Sequence, residues 1–322
     1  MARGCGCSTS RSSCGPTPEA AGRVGVADGV GQTDPVLTGT GIWSGGLRYG
    51  DREEAADAAT ELEELGYSAL WLPDVGGDLF PAVENMLKAT TTTTIATGIL
   101  NLWMHEPEET ASEYTRLVDA YGDRFVVGIG ISHAPLIDAS EPGRYQKPLA
   151  RTKEYLDALD AQSPTVPTDR RLLAALGPKM LELAARQANG THPYNVMPEH
   201  TAAAREKLGP DKIVAPEQAV VLETDPDRAR TIAREFLATY LALPNYANNW
   251  FRYGFTPDDT LDGGTDALVD ALIAWGDLDT IAARLQAHRD AGADHVCLQA
   301  LTGDRAGITM DAWRRLAEIL PE

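Results

Sequence analysis

The residues of this 322-residue sequence that could do chemistry stand singly, most of them at or just after the end of a short apolar run. In chain order they are Trp43 with Ser44, Asp74, Asn101, Ser132 with His133, Gly177 to Lys179, His192 and Gln299. No two acids sit at the short spacing of a general acid–base pair, no lysine is placed as a Schiff-base nucleophile, and no His/Asp group has metal-ligand spacing. No metal is expected. What is present is one chain turn suited to an anion, imidazoles, and several neutral donors. Such a set is better suited to holding a bound cofactor than to acid–base chemistry by side chains alone.

The anion-type turn lies in LLAALGPKMLELAARQANG, Leu172 to Gly190. This stretch reads as a buried strand, Leu172 to Leu176, a Gly-Pro turn, and a helix that opens at Pro178 and closes on Asn189 and Gly190. Proline suits the first helical position because its missing N–H would have no partner there, and glycine suits a left-handed cap. Free N–H groups and the helix dipole attract an anion, Lys179 adds a positive charge, and Gly177 lets a phosphate approach the backbone. An ordinary strand-to-helix turn with a solvated lysine would read the same way, and on these residues alone both readings stand.

The elements that must position these residues alternate along the chain. Gly39 to Trp43 is followed by a helix with Asp51 as N-cap, Glu54 three residues on and Gly66 past its end. Tyr67 to Leu72 leads to Asp74 and a helix from Pro81 to Ala89. Thr92 to Leu100 is β-branched, and a helix from Pro107 to Tyr121 precedes Arg124 to Ile131, almost wholly apolar as in a strand buried on both faces. Ser132 to Pro148 reads as a long loop, then a helix runs to Leu159. Beyond the 172–190 stretch come a strand at His192 to Val196, a helix through Leu208, a strand around Gln218 to Leu222 and a helix from Asp225 to Leu241. Aromatic residues crowd Pro244 to Gly264, then a helix (Asp277 to Ala291), a strand (His295 to Ala300) and a helix (Met310 to Leu320) finish the chain. About eight strand–helix units predict an α/β fold, a closed (β/α)8 TIM barrel with an insertion before the last strand. An open dinucleotide-binding sheet would need G-x-G-x-x-G after the first strand, and Gly45 and Gly46 do not supply it. In a barrel the active site lies at the C-terminal ends of the strands, where the residues named above fall.

Composition narrows the partners. A formal charge of -19 argues against nucleic acid and anionic membranes, which need clustered cations. No apolar run approaches the ~18 to 20 residues of a membrane-spanning helix, and no signal-peptide core opens the chain, so a cytoplasmic protein is expected. Residues 1–35, rich in Gly, Ser, Ala and Pro, read as a disordered extension, with residues 36–322 as the folded domain. Cys5, Cys7 and Cys14 lack a fourth ligand for zinc, and Cys297 reads as a small core residue.

Segments GIWSGG, ALWLPD, IATGILNLW, GDRFVVGIGISHAP, AALGPKMLELAARQANGTHPY, LGPDKIVAPEQAVVLETD, YLALPNYANNW and AGADHVCLQ resemble the luciferase-like monooxygenase superfamily. Within it they are similar to an actinobacterial subgroup of coenzyme F420-dependent oxidoreductases. The resemblance spans Thr38 to Gly303. It implies a barrel of the bacterial luciferase-like type, with a deazaflavin or flavin across the strand ends and a non-proline cis peptide, Gly98 to Ile99, under the ring. It implies Asp74 near the ring or substrate, and Gly177, Pro178, Lys179 and Met180 as a phosphate cradle beside Ser132 and His133. Relatives often carry an acid–histidine pair or a glutamate at the second strand end, so Asp74 followed by Val75, Gly76 and Gly77 departs from the pattern.

The function expected is an F420-dependent oxidoreductase that transfers a hydride to or from a small organic molecule. His133 or Asp74 is the group that acts on the substrate, and His192, Asn101 and Gln299 are donors or acceptors at the ring. His105, His200, His288 and His295 read as structural or exposed. An FMN-dependent monooxygenase and a non-catalytic cofactor-binding barrel are the competing readings. The aromatic insertion suits either an apolar substrate or the interface of a homodimer, the assembly expected here.

Overall fold

The computed structural model describes Met1, residues 37–303 and residues 307–321. Apart from Met1, the expected N-terminal extension lies outside the described residues, and so do Cys5, Cys7 and Cys14. Strand β1 (Gly39–Trp43) leads to α1 (Gly45–Tyr49) and α2 (Arg52–Glu64), then β2 (Ala69–Leu72), α3 (Leu79–Ala89), β3 (Thr94–Thr97) and β4 (Leu100–Asn101). Next come α4 (Pro107–Tyr121), β5 (Phe125–Gly130), α5 (Ala134–Ser140), α6 (Pro148–Asp160), β6 (Arg171–Leu173), α7 (Pro178–Gln187) and β7 (Gly190–Thr191). The chain continues through α8 (Pro198–Leu208), β8 (Ile213–Val214), β9 (Glu217–Val221), α9 (Pro226–Leu237), α10 (Pro244–Phe251), α11 (Asp266–Leu272), β10 (Ala274–Trp275), α12 (Leu278–Asp290), β11 (His295–Ala300) and α13 (Met310–Ala317).

Every pairing among the described strands is parallel, in the order β10-β9-β11-β1-β2-β3-β5-β6-β7-β8 with β4 beside β5. The β8 end of that order is joined to β9, next to its other end, by one run of chain. Ile213 and Ala215 donate backbone N–H to Asn189 and Thr191 on one side, at 2.8 and 2.9 Å, while Pro216 accepts from Cys297 on the other at 2.9 Å. Pro216 has no N–H to give, which is why the run divides into β8 and β9 there. The sheet is thus curled, and it buries both faces. Along β2, Leu70 and Leu72 pack outward on the helices, whereas Ala69 and Trp71 join Ala96, Val126, Leu172, Ile213 and Cys297 on the inner face. The two-residue period of a strand separates the two sets.

Helix starts follow the sequence signals. Asp51 caps α2 by accepting from the N–H of Glu53 and Glu54, and α4, α6, α7, α8, α9 and α10 all open on proline. At the far end of α2 the Glu63 carboxylate accepts the N–H groups of Thr91, Thr92 and Thr93 at 2.9, 2.6 and 2.8 Å. Burial alone would raise its pKa, but this amide nest holds it far below the usual carboxylate range. The turn into β3 is tied to α2 in this way.

Several expectations are corrected. The Ser132 to Pro148 loop contains α5. The strand expected at Leu172 to Leu176 is Arg171–Leu173, and Ala174 to Leu176 form a loop. The strand expected at His192 to Val196 ends instead at Thr191, and Gly190 belongs to that strand, not to a helix cap. Glycine is required there because a Cβ would lie 1.9 Å from the carbonyl oxygen of Ile213 on β8. Helix α7 instead ends at an extended Ala188, whose N–H bonds to Ala184. No helix among the described residues is long and apolar enough to cross a membrane.

Candidate active site

A cavity of about 310 Å³ opens at the C-terminal ends of the strands. It gathers Trp43 from the end of β1, Asp74 from beyond β2, Gly98 and Ile99 from the break between β3 and β4, and Ser132 and His133 from beyond β5. Gly177 and Met180 at the start of α7 and His192 beyond β7 also line it, whereas Asn101, Pro178, Lys179 and Gln299, singled out with them in the sequence, do not. The rest of the wall is mainly apolar or aromatic: Ile131, Leu136, Leu176, Tyr145, Tyr194, Tyr240 and Tyr246.

Asp74 is nearly fully buried and fixed from two sides. Its Oδ2 accepts the backbone N–H of Asn101 at 3.0 Å and lies 3.1 Å from Nε2 of His105. Nδ1 of His105 lies 3.3 Å from Oε2 of Glu109, in the first turn of α4. Burial works against the charged form of His105, but the hydrogen bond to Asp74 and the charges of Asp74 and Glu109 outweigh it and raise the imidazole above its ordinary pKa. Histidine is thus paired with acid at this strand end after all, from a residue expected to be structural or exposed.

Beneath the cavity the Gly98–Ile99 peptide is cis, as the family resemblance implies. The Gly98 carbonyl accepts Nε1–H of Trp43 at 2.7 Å, and a Cβ on Gly98 would lie 2.8 Å from that nitrogen and 3.0 Å from Nε2 of His192. His192 stacks on Trp71, with ring centroids 4.1 Å apart. Its Nδ1 lies 2.7 Å from the carbonyl of Ala215, so Nδ1 carries the proton and Nε2 is left as a buried acceptor with no partner among the described residues. Burial pushes this imidazole down to about 4, so it is neutral near pH 7.

His133 stands across the cavity against Tyr246, ring centroids 5.2 Å apart. Burial lowers its pKa, the hydrogen bond with Asn245 acting the other way, and its Nδ1 has no partner among the described residues. Ser132 beside it has a left-handed backbone, φ 57°. At the start of α7, Pro178 and Lys179 are exposed at the rim and only Gly177 and Met180 reach the lining. A guanidinium nitrogen of Arg252, just past α10, lies 3.7 Å from where a Gly177 Cβ would be, so a second cation stands at this helix start. Asn101 and Gln299 lie behind the cavity wall. Asn101 holds Asp74 through its N–H, and Gln299 accepts the Tyr194 hydroxyl at 2.6 Å and lines a separate pocket of about 50 Å³ on the β11 side of Trp43.

Residues 35–295 match the family model described as luciferase-like monooxygenase. The chain belongs to the luciferase-like monooxygenase family. It is therefore an oxidoreductase. A 5,10-methylenetetrahydromethanopterin reductase of Methanolobus tindarius is 24% identical over 290 residues, covering 75% of this chain and 88% of that protein. Among solved structures, an F420-dependent secondary alcohol dehydrogenase in complex with an F420–acetone adduct superposes with TM-score 0.69 at 16% identity, over 88% of this chain and 98% of the other. The FMN-bound oxygenating constituent of 3,6-diketocamphane monooxygenase of Pseudomonas putida gives 0.60 at 14% identity, over 88% and 97%. Both share the fold.

This member of the family carries polar groups near the site that sequence reasoning missed. The His105–Glu109 spacing of four residues is legible although His105 precedes α4, but the link of His105 to Asp74 spans 31 positions and has no local signal. Glu217, on β9, is almost fully buried, and its Oε2 accepts the N–H of Asn195 at 3.1 Å while Oε1 has no partner among the described residues. Burial pushes this carboxyl up to about 8. Tyr194, Tyr240 and Tyr246 form an aromatic cluster on that side, with the Tyr194 and Tyr240 hydroxyls 3.2 Å apart.

Proposed function

We propose that this chain is a coenzyme F420-dependent oxidoreductase. In this reading it is a (β/α)8 barrel whose insertion lies between β9 and β11, and it transfers a hydride between a deazaflavin and a small organic molecule. The observation that carries the reading is the cavity itself: a largely apolar chamber into which one buried carboxylate, Asp74, is presented with a histidine behind it. A flat ring bearing N–H groups fits the residues present, because the glycine surface at Gly98 admits no side chain and Nε2 of His192 is an acceptor that lacks a donor. The reductase from Methanolobus tindarius supports the same class of chemistry by its name.

Gly98, Ile99, Ser132 and His192 would hold the ring, and Gly177, Pro178, Lys179 and Met180 its phosphate, with Arg252 adding charge at the rim. Asn101 and Gln299 contribute through Asp74 and Tyr194. The bound deazaflavin supplies hydride exchange. The protein excludes water, orients the partner molecule and manages one proton through Asp74, with His133 as the facing polar group. A paired fluorescence titration with F420 and FMN tests the reading. Tight binding of F420 with little binding of FMN is the expected result, whereas FMN binding accompanied by oxygen consumption on reduction would make the protein an FMN monooxygenase.

A further inference from the structure

A chamber closed around a ring and a reactant has to gain or lose a proton each time a hydride moves, and its mouth is then blocked. The structure offers a second way in. Asp74 lines the cavity, His105 lies directly behind it, and Glu109 stands behind His105 with its side chain half exposed to solvent. The two spacings, 3.1 and 3.3 Å, leave no room for another group in between. Phe80 of α3 meets the His105 ring edge-on, 5.3 Å between centroids, and closes its side. Asp74 and Glu109 are the charged groups that act on the imidazole; Tyr49 of α1, whose hydroxyl accepts from Val75 N–H at 2.8 Å, is the further titratable group beside Asp74.

We propose that Glu109, His105 and Asp74 form a proton relay that joins solvent to the cavity from behind while its mouth is occupied. This rests on the reading of the site as one of hydride transfer. In the reducing direction the electrophilic carbon of the substrate would gain a hydride from the bound reduced deazaflavin, while the adjoining heteroatom gains a proton through Asp74. The Asp74 carboxylate hands on the proton it receives from Nε2 of His105, and His105 is reprotonated at Nδ1 through Glu109 from water. One hydride and one proton are added to the substrate, the deazaflavin is oxidised, and one proton leaves solvent. The oxidising direction runs in reverse. Glu109 and His105 act through Asp74 and are positioning and relay residues; Asp74 alone meets the substrate. Its Oδ2 is turned toward Asn101 and His105, whereas Oδ1 has the long 3.4 Å contact with Gly76 N–H and is the oxygen with capacity left for a ligand.

The test follows the His105 ring by NMR in the full-length protein, first free and then saturated with F420. Three chains are compared: the unmodified chain, Glu109→Gln and Asp74→Asn. Both substitutions are expected to lower the His105 titration midpoint. With F420 bound, exchange of the His105 ring N–H with water should continue in the unmodified chain and slow at least tenfold in Glu109→Gln, which keeps a hydrogen-bonding side chain but cannot pass a proton. F420 affinity should stay within twofold in Glu109→Gln. An unchanged midpoint in Glu109→Gln, or equally fast exchange in the two F420-bound chains, would overturn the relay. Failure of F420 to bind the unmodified chain would instead overturn the proposed function, and FMN then replaces it as the probe for the exchange measurement.

Discussion

Nδ1 of His192 donates to the carbonyl oxygen of Ala215 at 2.7 Å, and this one bond decides what the other nitrogen can do. With its proton committed to β8's trailing residue, the ring meets the cavity as a bare lone pair beside Gly98, 3.0 Å from where a Cβ would stand. A ligand that places an N–H or O–H there satisfies a group that is otherwise buried without a partner.

His192→Asn keeps a donor for Ala215 and removes the distal acceptor. F420 affinity is expected to fall about 5- to 30-fold, the equivalent of about 1–2 kcal/mol for a hydrogen bond in a dry site. Fluorescence titration reads this directly, and equal affinity in the two proteins would remove His192 from the ring's contacts.

Stability should depend on pH through the buried imidazoles. Burial pushes His192, His200 and His295 down to about 4 and His288 to about 3, against an ordinary value of 6.5. Between those values the unfolded chain binds more protons than the folded one, so the stabilisation is complete above pH 6.5 and is lost as pH falls toward 4. Each group contributes about 1–3 kcal/mol over that window. Urea midpoints at pH 7.5 and 5.0 measure it; the same midpoint at both would show that these rings are solvated.

Glu217 has the opposite sign. Its folded pKa, about 8, lies above the ordinary 4.5, so the folded state holds the extra proton and stability falls as pH rises through 8. Glu217→Gln removes the ionisation and keeps the shape. The variant should gain on the unmodified protein between pH 7 and pH 9 by about 1–2 kcal/mol, read as a smaller loss of melting temperature over that range.

Lys179 is exposed at the start of α7, so water and salt screen it. Lys179→Ala should weaken F420 binding by no more than about 1 kcal/mol at physiological salt, and by more at low salt. Its melting temperature should stay where it was. An effect independent of salt would place the side chain deeper than the structure does.

The legible parts of the fold were those with a local signal. Asp51, Pro107, Pro178 and, after Asp225, Pro226 mark helix starts because capping and the missing proline N–H act within one turn. β7 and β8 were illegible: a two-residue strand has no periodicity to read, and Gly190, which suits a helix cap by type, is glycine because Ile213 lies against it. The same division holds at the site. Gly177, Ser132 and His133 could be placed because each follows an apolar run, His192 was picked out by type although the strand it was assigned to ends before it, and Gly98–Ile99 was legible through family resemblance. His105 could not be, since only the packing of the β2 and β4 ends brings it to Asp74. Arg252 was hidden for a similar reason, being carried to Gly177 by a helix 75 residues downstream in a segment read only for its aromatics.

The short ladders of β7 have a further consequence. Gly39 to Ile42 of β1 face His295 to Leu298 of β11 in unbroken register, whereas β7 meets β6 and β8 over two residues each, and the next stretch changes partners at Pro216. Local opening of a sheet begins where the fewest backbone bonds must break together. Deuterium should therefore enter the amides of Thr191 and Ile213 well before those of Ile42 and Leu298. That seam carries His192 at its end. A ligand that engages Nε2 would stitch it shut, so slowed exchange at Thr191 would register occupancy of the cavity without any signal from the ligand itself.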